Sequence, residues 1–230
     1  MIGTTEGVAL AAVFFVVSHI VLAGGPLRAA LVKSIGENAF RGLFSAVAIA
    51  ALVWLALAYA GAPYVELWPE TIWARHVPLV VMPFAAILVV CGLTTRNATA
   101  IGGGAIDEAN PTPGIMKVTR HPFLWGVALW ALAHIAPNGD AASLMLFGAI
   151  AILSFAGMAG IDRKRARALG AAWGPVLLGS SVLPFGAMLS GRAKLRFGEI
   201  GAWRILAGVA LYVALVYAHT PVIGKSPMPF

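Results

Sequence analysis

Apolar residues dominate long stretches of the chain, and the charged ones gather between them. Apolar runs long enough to matter occur at about 7–24, 42–60, 77–93, 122–136, 141–161 and 203–219. About 20 residues at 1.5 Å each cross the roughly 30 Å hydrocarbon core of a bilayer, so the pattern predicts an all-α integral membrane bundle of about six transmembrane helices. The run at 122–136, about 15 residues, is short for a span. It is expected to lie among its neighbours. Pro137-Asn138-Gly139-Asp140 supplies turn-forming residues and makes the fourth and fifth runs an antiparallel hairpin. Ile101-Gly102-Gly103-Gly104-Ala105 reads as a flexible connector. Ala168 to Gly191 carries no charge before Arg192, but glycines, prolines and serines interrupt it, so 174–190 is expected to be re-entrant or interfacial.

Composition agrees with this reading. Of 230 residues, 60% are hydrophobic and 11% charged, against about 25% charged in soluble domains. The net charge of +7 would suggest nucleic acid on a soluble chain. Here it follows the membrane topology instead, and no nucleic-acid partner is expected. Fourteen of the sixteen Lys and Arg fall in the first, third and fifth connections, and only Arg75 and Lys225 fall elsewhere. The positive-inside bias therefore predicts both termini on the non-cytoplasmic side. No Lys or Arg precedes the first run, so that run is expected to stay as a helix rather than leave as a signal peptide. The lone Cys91 rules out a disulfide within the chain. Membrane lipid is the obligatory partner, and residues 1–230 form a single domain.

Ionisable groups within the membrane are candidates for function because burying them unpartnered is costly. His19 lies roughly 9 Å inside the cytoplasmic end of the first run, and His134 roughly 18 Å beyond Pro122, counted at helical rise. His76 and His219 are placed at helix ends on the outer side, where wetted imidazoles are common. His121 precedes Pro122 and is expected to cap free amides at the start of a helix. A membrane imidazole satisfies its nitrogens by hydrogen bonds to neighbouring helices, or by one bond to a metal and one to an acceptor. A pair on separate helices is one way to hold a b-type heme. Its propionates would need cations, and Arg28, Arg41 and Arg120 stand at the cytoplasmic ends. Trp54, Trp125 and Trp130 are candidates to flank a porphyrin.

Several blocks carry a resemblance: SHIVLAGGPLR at 18–28, GENAFRGLFS at 36–45, TRHPFLWGVALWALAH at 119–134, the NGD turn at 138–140 and IDRKRARALGAAW at 161–173. Their order over residues 10–185 resembles the NnrU proteins, which are similar to the plant and cyanobacterial zeta-carotene isomerase; the helix at 203–219 is additional. The resemblance implies heme b with axial histidines at His19 and His134. The isomerase branch has a cysteine three residues before the second ligand, where this chain has Ala131. The bacterial branch is tied to nitric oxide and denitrification. The resemblance therefore implies a bacterial inner-membrane heme protein with bis-histidine iron, acting as a redox or nitric-oxide-related factor. Its alternative is an enzyme acting on an apolar molecule, a carotene cis-trans isomerase. A second resemblance links Arg120-His121-Pro122 with Gly126, and the Leu169-Gly170-Ala171-Ala172-Trp173 ending, to isoprenylcysteine-type methyltransferases that use S-adenosylmethionine. Their downstream acidic pair is replaced here by Asp162-Arg163-Lys164-Arg165. A third reading is a scaffold in which His19 and His134 only bridge helices.

Overall fold

The computed structural model describes residues 3–100 and 106–229; the Ile101–Ala105 connector expected from its glycines lies outside them. The helices are α1 (Thr5–Ala23), α2 (Gly25–Ile35), α3 (Glu37–Ala60), α4 (Ile72–Thr94), α5 (Pro122–Ile135), α6 (Ala141–Leu169), the short α7 (Gly174–Gly179) and α8 (Gly186–Leu189), and α9 (Ala202–Ile223). Among the described residues there is no strand, only an isolated bridge between Glu66 and Asp140.

Local chemistry explains where these helices start. The Thr4 hydroxyl accepts the Gly7 amide at 3.0 Å, and the Asp140 carboxylate accepts the Ser143 amide at 2.9 Å, each satisfying an amide that the first turn leaves free. Pro122 opens α5, where its missing N–H costs nothing.

The six apolar runs appear as α1, α3, α4, α5, α6 and α9. Five of them lie in segments long and apolar enough to cross a membrane. The exception is α5, whose 14 residues reach roughly 21 Å. Helices that follow one another in the chain, α1, α3, α4, α5, α6 and α9, alternate in direction, whereas α1 and α6 pack side by side in parallel. Gly3 lies against the Gly61 carbonyl, Tyr59 bonds Ser143 at 3.0 Å, and Arg75 bonds the Ser226 carbonyl at 2.8 Å. The start of α1, the end of α3, the starts of α4 and α6 and the end of α9 therefore share one end of the bundle. Both ends of the described chain, Gly3 and Pro229, lie there, as an even number of crossings requires. We call the opposite end, where most Lys and Arg collect, the basic end.

The helices pack in the order α3, α1, α6, α5, α4, α9. Small residues make the closest contacts, as in membrane proteins generally, where tight backbone approach replaces a hydrophobic driving force. A Cβ on Gly126 of α5 would lie 2.7 Å from the Ala85 carbonyl oxygen of α4, and one on Gly208 of α9 only 2.6 Å from the Ile87 Cα. Large apolar side chains point outward: Leu206 is 67% and Tyr217 79% exposed to what would be lipid.

One feature departs from the sequence pattern, and a second follows it. A separate helix, α2, links α1 to α3 where only a loop was expected. The uncharged stretch after α6 stays at the basic end, where α6 ends and α9 begins. There the Ser181, Val182 and Phe185 backbone is tied to residues 118–125: Arg120 N–H to the Ser181 carbonyl at 2.8 Å, Phe185 N–H to the Val118 carbonyl at 2.7 Å, and Trp125 Nε1–H to the Val182 carbonyl at 2.7 Å. It does not form a seventh crossing.

Candidate functional site

Where α5 begins, Arg120 and His121 close onto Asp162 of α6. The Arg120 guanidinium donates from Nε at 3.1 Å and from Nη2 at 2.8 Å to Asp162 Oδ2, and His121 Nε2–H donates to Oδ1 at 2.9 Å. The histidine and arginine side chains are 1% and 8% exposed, the aspartate 19%. Burial demands such pairing, since an isolated guanidinium in this setting would cost several kcal/mol. Thr119 donates to the Val182 carbonyl at 2.9 Å, so the whole Thr-Arg-His-Pro turn is clamped between α6 and the segment after α7. His121 occupies the N-cap position of α5, but its side chain makes no cap bond. The expected amide-capping role is replaced by the bond to Asp162.

Beside this cluster a cavity of about 780 Å³ opens among the ends of α1, α3, α4, α5 and α6. Arg28, Arg41, Lys164 and Arg165 line it with one carboxylate, Glu37; His121 contributes an edge, and Leu22, Phe40, Phe44, Phe123 and Leu124 form the apolar wall. Arg28 grips both Glu37 oxygens at 2.7 and 2.9 Å, and Arg41 reaches one of them at 3.2 Å. Of the three arginines expected near propionates, Arg28 and Arg41 reach the cavity but share Glu37, and Arg120 is spent on Asp162.

His19 and His134 lie elsewhere. His19 of α1 packs edge-on against Phe15 and Phe44, with ring centroids 4.5 and 5.7 Å away. His134 of α5 stacks at 5.4 Å on both Trp130 and Phe147. Each donates its Nδ1–H to the carbonyl four residues back at 2.7 Å, from His19 to Phe15 and from His134 to Trp130. A carbonyl only accepts, so in the neutral form each ring is the tautomer whose Nε2 carries a lone pair. That is the donor set an axial heme ligand needs, with the backbone as second acceptor. Both helices pack against α6 and run in opposite directions through the bundle. By helical rise His19 lies about 6 Å from the basic end of α1, and His134 about 18 Å from that of α5. The two positions thus differ by about 12 Å in depth; each ring leans back along its own helix toward the N-terminus, which in antiparallel helices narrows that difference. The donor chemistry fits a heme.

The remaining candidates are accounted for locally. The exposed His76 donates to the Ile72 carbonyl and the half-buried His219 to that of Lys225, at 2.9 and 2.8 Å. Trp54 packs on Phe14 and Trp125 on Phe155, so only Trp130 of the three tryptophans touches a candidate ligand. Among the described residues no group of three or more His, Cys, Asp or Glu is arranged to hold a metal ion.

Sequence reasoning missed Asp162. It was grouped with the basic residues that follow it, yet it is the acid on which Arg120 and His121 converge. The available signal was a lone carboxylate at the end of an apolar helix, following a buried-type Arg-His pair.

Comparison with known proteins gives a family. The family model described as NnrU protein matches residues 8–227. The 15-cis-zeta-carotene isomerase, chloroplastic, of Arabidopsis thaliana is 31% identical over 205 residues, 84% of this chain and 54% of that protein. The protein of the same name from Zea mays is 28% identical over 195 residues, 81% of this chain and 51% of its own. The chain thus spans about half the length of the curated relatives it matches. No solved structure matches it.

Proposed function

The chain belongs to the NnrU protein family, and from that premise we propose that it is a membrane-embedded cis-trans isomerase of a long conjugated polyene of the carotene type. The observation that carries this reading is the identity to two 15-cis-zeta-carotene isomerases over more than four fifths of the chain. Neither relative is named for nitric oxide or denitrification, so the isomerase alternative is preferred to the nitric-oxide reading. An uncharged polyene dissolves in the bilayer, where it meets the outward apolar surface of the bundle directly. The end that gathers the basic residues is oriented toward the cytoplasm and both termini away from it, by the bias of Lys and Arg.

For the cofactor we infer heme b, with His19 and His134 as the residues that would hold it. Heme supplies a one-electron couple when bound. The protein's own contribution is to fix both imidazoles as Nε2 donors through their Nδ1 bonds, and to surround them with the aromatic rings of Phe15, Phe44, Trp130 and Phe147, which exclude water. Ala131, one turn before His134, offers no sulfur, so ligand exchange with a neighbouring cysteine on α5 is not available to this chain.

The test uses cells that accumulate 15-cis-zeta-carotene. Expressing the chain is expected to shift the pigment to its trans-centred isomer on chromatography, and an unchanged isomer ratio with protein present in the membrane overturns the reading. The cofactor is tested separately by pyridine hemochrome assay of purified protein. His19→Ala and His134→Ala are expected to lose heme while His76→Ala and His219→Ala keep it; full heme in both of the first two overturns the ligand assignment.

A further inference from the structure

The cavity at the basic end is built for something other than a hydrocarbon. Four cations face one carboxylate within about 780 Å³. Glu37 is already held by Arg28 and Arg41, and the nearby Asp162 is turned away to Arg120 and His121. Among the described residues, Lys164 and Arg165 make no ion pair and no side-chain hydrogen bond, although both line the cavity with Arg28 and Arg41. Lys164 is exposed and Arg165 half-buried, and cations sharing one cavity repel one another less when an anion sits between them. The lining also includes apolar Leu22, Phe44 and Leu124, which a small hydrated anion would not use.

We propose that this cavity binds the phosphate of an amphiphile: the phosphate lies against Lys164 and Arg165, and the apolar chain runs along the Phe44 and Leu124 wall into the bundle. Ammonium and guanidinium donors suit the several acceptor oxygens of a phosphate, and the volume lies within the range of small-molecule sites. The shared chemistry is a phosphate on an apolar tail, and it has two sources, a membrane phospholipid or a phosphorylated isoprenoid chain. The inference goes beyond the isomerase reading and does not need it, because an uncharged polyene has no use for these cations and the experiment reads binding rather than turnover.

The experiment is calorimetric titration of the full chain in an uncharged detergent with geranylgeranyl phosphate, dioctanoyl phosphatidylglycerol, geranylgeraniol and inorganic phosphate. One of the two phosphate amphiphiles is expected to bind, and the tighter of them identifies the source. Geranylgeraniol and inorganic phosphate are each expected to bind about tenfold more weakly or worse, given the strength of hydrogen bonds to charged groups. The double variant Lys164→Gln/Arg165→Gln is expected to weaken the amphiphile by about tenfold or more, and Lys164→Arg/Arg165→Lys to restore it, with circular dichroism reporting that each variant folds. The proposal is overturned if neither amphiphile binds, if the alcohol or free phosphate binds as tightly, or if the folded double glutamine variant binds unchanged. A last arm repeats the titration after loading with hemin. Unchanged affinity is expected, whereas loss of binding would give the cavity to heme carboxylates and overturn the proposal.

Discussion

Replacing Asp162 with asparagine removes one charge and leaves the shape. In the native protein Asp162 accepts three hydrogen bonds, two from Arg120 and one from His121. Asparagine keeps one oxygen, enough for one partner, and turns an N–H₂ toward the other. Where that N–H₂ faces Arg120, 8% exposed in its side chain, the guanidinium keeps a 3.5 Å contact to the Ser180 hydroxyl and its place 6.0 Å from the Trp173 ring centre. Breaking a buried ion pair by removing one partner costs about 3–5 kcal/mol. The partial exposure of Asp162 puts Asp162→Asn at the lower end, about 3 kcal/mol of destabilisation. Reversible unfolding in mixed detergent and SDS micelles measures it. Adding Arg120→Met to Asp162→Asn removes the stranded charge while the remaining oxygen still accepts from His121. The double variant is therefore expected to be more stable than Asp162→Asn alone, by about 2 kcal/mol. Asp162→Asn within about 1 kcal/mol of the parent, or a second substitution that only adds to the loss, would refute the account of this cluster as a buried charge network.

Gly126→Ala places a methyl 2.7 Å from the Ala85 carbonyl oxygen and is expected to cost about 1–3 kcal/mol by overpacking α5 against α4, in the same unfolding assay. Trp125→Phe removes the donor to the Val182 carbonyl; amide hydrogen exchange over residues 181–187 is expected to speed up while the exchange of α1 and α3 stays as it was. Tyr59→Phe breaks the bond to Ser143 and is expected to cost only about 0.6 kcal/mol, the usual size for a hydrogen bond between membrane helices, because the unfolded reference state in a membrane also finds partners.

Much of the fold was legible because a membrane imposes a coarse rule. A helix must be about 20 residues of apolar chain to span, and the six runs, their order and the common end for both termini follow from that rule and the parity of crossings. The fate of the uncharged stretch after α6 was also readable, since its Gly and Pro content disfavours a span and its ends must return to Arg192 and Lys194. Side-chain pairing between distant segments was not readable. His121 and Asp162 are 41 positions apart, and hydropathy says nothing of which neighbour a carboxylate faces; only the antiparallel α5–α6 hairpin brings them to one level. The cationic cavity was hidden for the same reason. Lys164 and Arg165 have the form of orientation signals in sequence, and they acquire a binding role only when α2 and the start of α3 fold beside them.

The most direct test of the central claim is turnover by the purified chain. Protein reconstituted with hemin into liposomes holding 15-cis-zeta-carotene is expected to convert it in the dark to the isomer with a trans central bond, at a rate proportional to protein and abolished in His19→Ala. A folded, heme-loaded preparation that leaves the isomer composition at the level of protein-free liposomes would contradict it.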